Sequence, residues 1–152
     1  MSNGHSLKEV FALLNRMVEE KVVDNYAVVG AMAVLFYAEP ARTYDLDVAV
    51  ALPGSSTRLG FTAEAEHVSI HGVPVQFLPG DTGLWGETVK GARLFDYEGE
   101  TVRVASPEHL IALARLSPTP KRRERMAMLL ESTPVDEHHL AEILQRYGLS
   151  SS

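Results

Sequence analysis

Apolar residues recur at three- and four-residue steps at Val10, Phe11, Leu14, Met17 and Val18, the spacing of one helical face. Ser6 and Glu9 ahead of them match a capping box, so a first helix is predicted over about Leu7–Lys21. Tyr26-Ala27-Val28-Val29 reads as a short buried strand running into Gly30-Ala31-Met32-Ala33. There helical spacing resumes at Met32, Leu35 and Phe36, and Pro40 keeps the helix from continuing. Between Asp45 and Val50 polar and apolar positions alternate, the signature of a strand. Leu46, Val48 and Val50 then point to a core, while Asp45 and Asp47 project together from the other side.

Leu52 to Gly60 is rich in Pro, Gly and Ser and reads as a loop. His67–Ile70 and Val73–Leu78 form a predicted hairpin across His71-Gly72, ended by Pro79 and Gly80. Gly83–Gly91 reads as a short helix carrying Trp85. Ala92–Tyr97 and Thr101–Val104 read as a strand pair around Glu98-Gly99-Glu100. Ser106 as N-cap and Pro107 in the first turn open a helix that ends before Ser117. Pro120 starts another, Lys121 to about Ser132, and Asp136 caps a last one, Glu137–Tyr147, stopped by Gly148. The tail from Leu149 to Ser152 is expected to fray.

The 152 residues suit a single domain over 1–152 with a sizeable core. A net charge of −6 argues against a surface that coats nucleic acid generally. Without cysteine there is no disulfide framework and no thiolate zinc site. No apolar run approaches the roughly 18 residues of a membrane span, and Met1 to Ser6 lacks a signal-peptide segment. No membrane association and a cytoplasmic location are expected.

Candidate chemistry concentrates on Asp45 and Asp47. Two carboxylates held side by side repel each other, and a divalent cation removes that repulsion. Mg²⁺ is bound by one or two carboxylates plus substrate phosphates. The pair also reads as a strand end with two solvated acids. Gly30 at a strand-to-helix turn lets backbone approach a ligand closely, and the helix start behind it offers N–H groups to a phosphate. Strand, glycine turn, helix and acidic strand would hold a metal and a triphosphate against each other; the same turn also reads as an ordinary connection.

Other polar residues carry weaker signals. His138 and His139 point about 100° apart on a helix and do not share a ligand. His67 and His71 read as solvated hairpin residues. Lys121, Arg122, Arg123 and Arg125 read either as a solvated helix face or as a contact to phosphate or an RNA backbone. Trp85, Tyr37 and Tyr44 read as base-stacking rings or, for Trp85, as core or interface.

The order of these segments resembles the nucleotidyltransferase superfamily, and within it the small bacterial domains of the AbiEii toxin type. The matching residues are Gly30-Ala31, Thr43, Asp45 and Asp47. Val104-Ala105-Ser106-Pro107-Glu108-His109-Leu110-Ile111-Ala112-Leu113 is similar to the family's "sPedLialK" helix start, and Lys121–Leu130 to its following helix. The likeness covers roughly residues 7–149. It departs at Ala31, where a second Gly or Ser is usual, and at Arg42, one residue nearer the acids than in the family. Gln76 stands where active members place a third carboxylate, Ala114 where they carry Lys, and arginines at 122 and 125 where a Lys-Asp-x-x-Asp pattern has acids. Asp81, Glu64 and Glu66 are alternative suppliers of that carboxylate.

The resemblance implies an α/β (α+β) fold with a mixed sheet flanked by helices and C-terminal helices. It implies Mg²⁺-dependent transfer of a nucleotidyl group from a nucleoside triphosphate to an RNA, protein or small-molecule acceptor. Asp45 and Asp47, with Gln76 as a carbonyl ligand, would hold the metal. Gly30, Ala31 and Thr43 would contact phosphate, and Arg42 or Lys121 would neutralise developing charge. The competing expectation is an inactive module of the same fold that binds a nucleotide, RNA or protein. A third is one half of a toxin–antitoxin pair with an antitoxin partner.

Overall fold

The computed structural model describes residues 3–37, 46–51 and 66–149. Along the chain run α1 (Asn3–Glu19), β1 (Asn25–Val29), α2 (Gly30–Leu35), β2 (Leu46–Ala51), β3 (Glu66–Ile70), β4 (Val73–Pro79), α3 (Gly83–Lys90), β5 (Arg93–Tyr97), β6 (Glu100–Val104), α4 (Pro107–Leu116), α5 (Pro120–Ser132) and α6 (Glu137–Arg146). The strands form one mixed sheet in the order β3-β4-β2-β1-β6-β5. β1 pairs antiparallel with β2 and parallel with β6, and β2 pairs parallel with β4. The mixed α/β architecture expected from the sequence is present. Pro40, the 52–60 loop and the tail beyond 149 lie outside the described residues.

Lateral partners on neighbouring strands share a face. Val29, Asp47 and Gln76 are such partners, so they lie on one face with Ala49 and Leu78. Tyr26, Val28, Leu46, Val48, Val50 and Phe77 occupy the other. There α1 is fixed by the Tyr26 hydroxyl, which donates to Asn15 Oδ1 at 2.8 Å. The central strands β1 and β2 are buried along most of their length, as strands covered on both faces must be.

Local chemistry explains most element boundaries. His71 (φ +51) and Gly72 (φ +79) make the two-residue turn between β3 and β4, with both φ positive as a type I′ hairpin requires. Ser106, Thr119 and Asp136 cap α4, α5 and α6, each accepting a backbone N–H from three residues on. One expectation fails. α1 begins at Asn3, so Ser6 lies inside it and is not its N-cap. The apolar face beginning at Leu7 nucleates the helix through tertiary packing, and once it is nucleated a further turn costs little.

A polar network ties α3, α4 and α6 together. His109, 3% exposed, sits with Nε2 at 3.0 Å from Glu87 Oε2 and Nδ1 at 2.7 Å from Ser106 Oγ. Glu87 Oε1 accepts from Arg146 and, at 2.9 Å, from the Tyr147 hydroxyl. Buried Glu108 accepts the Asp136 N–H at 2.8 Å, anchoring the start of α6. Burial pushes the Glu87 carboxyl up, but the hydrogen bonds from His109, Arg146 and Tyr147, with the Arg146 charge, outweigh it and hold it at about 2. Burial lowers the His109 pKa, against the opposing pull of Glu87.

Both shifts act in the same direction on stability. A depressed carboxylate contributes above its ordinary pKa and loses the contribution as pH falls toward the folded value; a depressed histidine, folded in its neutral form, does the same from about pH 6.5 downward. Urea unfolding should therefore show stability falling steadily from about pH 6.5 to about pH 2. Glu87→Gln should cost about 2 kcal/mol at neutral pH and flatten the lower half of that profile.

Candidate functional site

The site starts at a bend that its neighbour dictates. Val29 is extended (φ −127°, ψ −175°) and Gly30 turns the chain into α2 at φ +69°. A side chain in that left-handed region costs about 1–2 kcal/mol. A side chain there would also displace its neighbour. A Cβ built on Gly30 would lie 2.6 Å from Asp47 Oδ2 and 3.3 Å from Asp47 Cγ. The register that puts Val29 beside Asp47 therefore brings the carboxylate to the bend. α2 spans six residues, and its first residue, Gly30, lies against Asp47.

Around Asp47 opens a cavity of about 240 Å³. Asp47 and Gln76 come from the sheet and Gly30 from the start of α2; Arg122 and Arg125 come from α5. Trp85 of α3 and Leu110, Leu113 and Met126 supply apolar wall. An adjoining cavity of about 250 Å³ is lined by Ala31, Leu35, Lys121, Glu124 and Arg125. Arg125 lines both. Arg122 is held in place through its Nη1, which donates to the Ser117 carbonyl and, at 2.9 Å, to the Ser117 hydroxyl.

No family model and no curated protein matches the chain. Solved structures do. An antigenic nucleotidyltransferase-like protein from Paracoccidioides brasiliensis aligns over 95% of this chain and 89% of its own, at TM-score 0.54 and 17% identity. The antibiotic-resistance factor ANT(2'')-Ia aligns over 94% of this chain and 95% of its own, at TM-score 0.52 and 17% identity. The fold is nucleotidyltransferase-like.

On this nucleotidyltransferase-like frame the residues singled out from the sequence fall into three groups. Gly30, Asp47 and Gln76 meet at one cavity, and Ala31 and Lys121 meet at its neighbour. Arg42, Thr43, Tyr44 and Asp45 lie outside the described residues, as does Glu64. Trp85, Arg122 and Arg125 also line the first cavity, while Tyr37, His71 and His138 are engaged elsewhere. The Tyr37 hydroxyl donates to the Ala105 carbonyl at 2.7 Å, and the ring packs edge-on against Phe95. This corrects the base-stacking expectation, and burial pushes its pKa up to about 12. His71 pairs with Glu9 at 3.0 Å, and His138 lies 3.8 Å from Glu142.

The sequence offers Arg122 and Arg125 as a phosphate or RNA contact or a solvated face, but not their place beside Asp47. A signal existed. Leu129 is the buried residue of α5, and positions 122, 125, 126 and 129 follow the one-face spacing of a helix. Packing Leu129 therefore sets partly buried Arg125 and Met126, with Arg122 at the exposed rim, along one cavity and Lys121 along the adjoining one.

The donor set suits a cation delivered with a substrate. Among the described residues no group of three or more His, Asp or Glu could hold a metal ion. One carboxylate from Asp47 and the amide oxygen of Gln76 are the oxygen-bearing side chains from the sheet here. Mg²⁺ needs little more from protein when phosphates complete its sphere.

The Gly30–Asp47 approach is measurable. Gly72 has a similar φ with nothing within 4 Å of its built Cβ. In urea unfolding, Gly72→Ala should cost about 1 kcal/mol. Gly30→Ala should cost roughly 1–2 kcal/mol more, and that excess should vanish in an Asp47→Ala background.

Proposed function

We propose that the chain is a Mg²⁺-dependent nucleotidyltransferase acting on a nucleoside triphosphate. The observation that carries this reading is the Asp47 carboxylate lodged against the Gly30 bend, on a nucleotidyltransferase-like fold. Asp45 and Asp47 would hold the ion, with Gln76 as a neutral oxygen donor, and the ion would supply charge neutralisation at the triphosphate. The backbone of Gly30, at the Asp47 cavity, and that of Ala31 with the Lys121 ammonium, which line the adjoining one, would bind the terminal phosphates. An acceptor hydroxyl forms the new P–O bond at the α-phosphorus. The bond to the bridging oxygen breaks, pyrophosphate leaves with the electron pair, and the hydroxyl proton passes to solvent.

A second reading has its own observation. Gln76 lies directly beside Asp47 in the parallel register of β2 and β4, and an amide contributes no negative charge there. Metal would then be held too weakly for turnover, leaving a nucleotide-binding module.

Titration with each nucleoside triphosphate in Mg²⁺, with pyrophosphate release as the second readout, tests both. Transfer predicts saturable, Mg²⁺-dependent binding with pyrophosphate release, and Asp47→Asn should reduce both by at least about tenfold. The binding module predicts binding without release, and release gained in Gln76→Glu. Triphosphate binding indifferent to Mg²⁺ and to Asp47→Asn would exclude transfer at this site.

A further inference from the structure

We propose that the cavity beside Asp47 recognises a small organic acid, a carboxylate or phosphate monoester carrying an apolar body. Its role as the acceptor pocket rests on the transfer reading above, whereas the recognition itself does not. The cavity is divided chemically. Trp85, Leu110, Leu113 and Met126 form apolar wall, and Arg122 and Arg125 stand together on α5. Arg125 is half-buried and makes no hydrogen bond or ion pair within the described residues. A cation withdrawn from water beside apolar wall gains most from a counter-ion. Two guanidinium groups are suited to carboxylate or phosphate oxygens, which they bind in bidentate fashion. Arg122 is already oriented by Ser117, so little side-chain freedom is lost on binding.

Size and charge narrow the ligand. About 240 Å³ falls just below the roughly 300–1,000 Å³ of drug-sized sites, which favours a single ring or short chain over a polymer segment. Asp47 on the sheet side repels the acid group, and the arginines attract it. The ligand is thereby oriented with its charge toward α5 and its far end toward Asp47. The terminal phosphates have their own surroundings at Ala31 and Lys121 in the adjoining cavity.

Trp85 is the single tryptophan of the chain and lines this cavity, so its fluorescence reports occupancy directly. The full chain, without nucleotide or metal, would be titrated with phenylacetate, phenyl phosphate, phenylacetamide and phenethylamine. The two anions should give a saturable change, and their relative affinities separate carboxylate from phosphate ligands. The amide and the amine should bind at least about tenfold more weakly. Arg122→Gln and Arg125→Gln should each weaken the anions about tenfold while leaving the thermal unfolding midpoint in place. Equal binding of acid and amide, no saturable change, or unaltered affinity in both arginine variants would overturn the proposal. Competitive displacement of phenylacetate by a triphosphate alone would also overturn it, assigning the cavity to the nucleotide and leaving the transfer reading intact. Anion binding as described, with no Mg²⁺-dependent triphosphate binding, would uphold the acid site and remove only its acceptor role.

Discussion

One close approach governs the candidate site: Asp47 Oδ2 occupies the space where residue 30 would otherwise carry a Cβ. Two requirements coincide there. The chain must reverse direction at positive φ as β1 ends, and it must do so against a carboxylate already fixed by β2. Only glycine meets both. The antiparallel register of β1 and β2 sets which acid is met, because Val29 and Asp47 are direct partners. A slip of one residue would send Asp47 to the face that holds Tyr26 and Val48, where a buried carboxylate would find apolar neighbours.

The walls opposite the sheet depend on a different kind of interaction. Trp85 rides on α3, and Leu110 and Leu113 ride on α4. Apolar packing alone leaves two short helices free to slide. The Glu87–His109–Ser106 chain pins their relative position, and Arg146 and Tyr147 extend the hold to α6. Each buried polar atom in this chain has a partner, which keeps such a network from destabilising the core. The hydrogen bonds that depress Glu87 therefore also link the two helices that carry Trp85, Leu110 and Leu113.

The departures from the nucleotidyltransferase resemblance are not scattered. Gln76, Ala114, Arg122 and Arg125 all line the cavity that contains Asp47. Relative to that resemblance, three acidic positions are lost, one lysine is lost and two arginines are gained, which makes a single site more positive while the surrounding core stays apolar. In a chain of net charge −6, that local reversal reads as a change in what the cavity receives. The fold is shared with the solved nucleotidyltransferase-like structures at 17% identity.

Much of the architecture was legible residue by residue. Alternation at Leu46–Val50, the His71-Gly72 turn and the Ser106 and Asp136 caps obey rules acting over a few residues, and such rules are written in the sequence. The α1 start was misread because packing at Leu7 carries the helix past a local stop signal. Pattern and resemblance name Asp47, Gly30 and Gln76, but their meeting depends on strand register between residues 17 and 29 apart in sequence. The arginines show the same division most plainly. Their charge was visible along the chain, yet their direction was decided by the burial of Leu129, which sets the rotation of α5. Sequence determines what each segment can form, through local backbone preference and side-chain period. Tertiary packing alone decides which segments face one another, because burial energy depends on partners that sequence distance does not reveal.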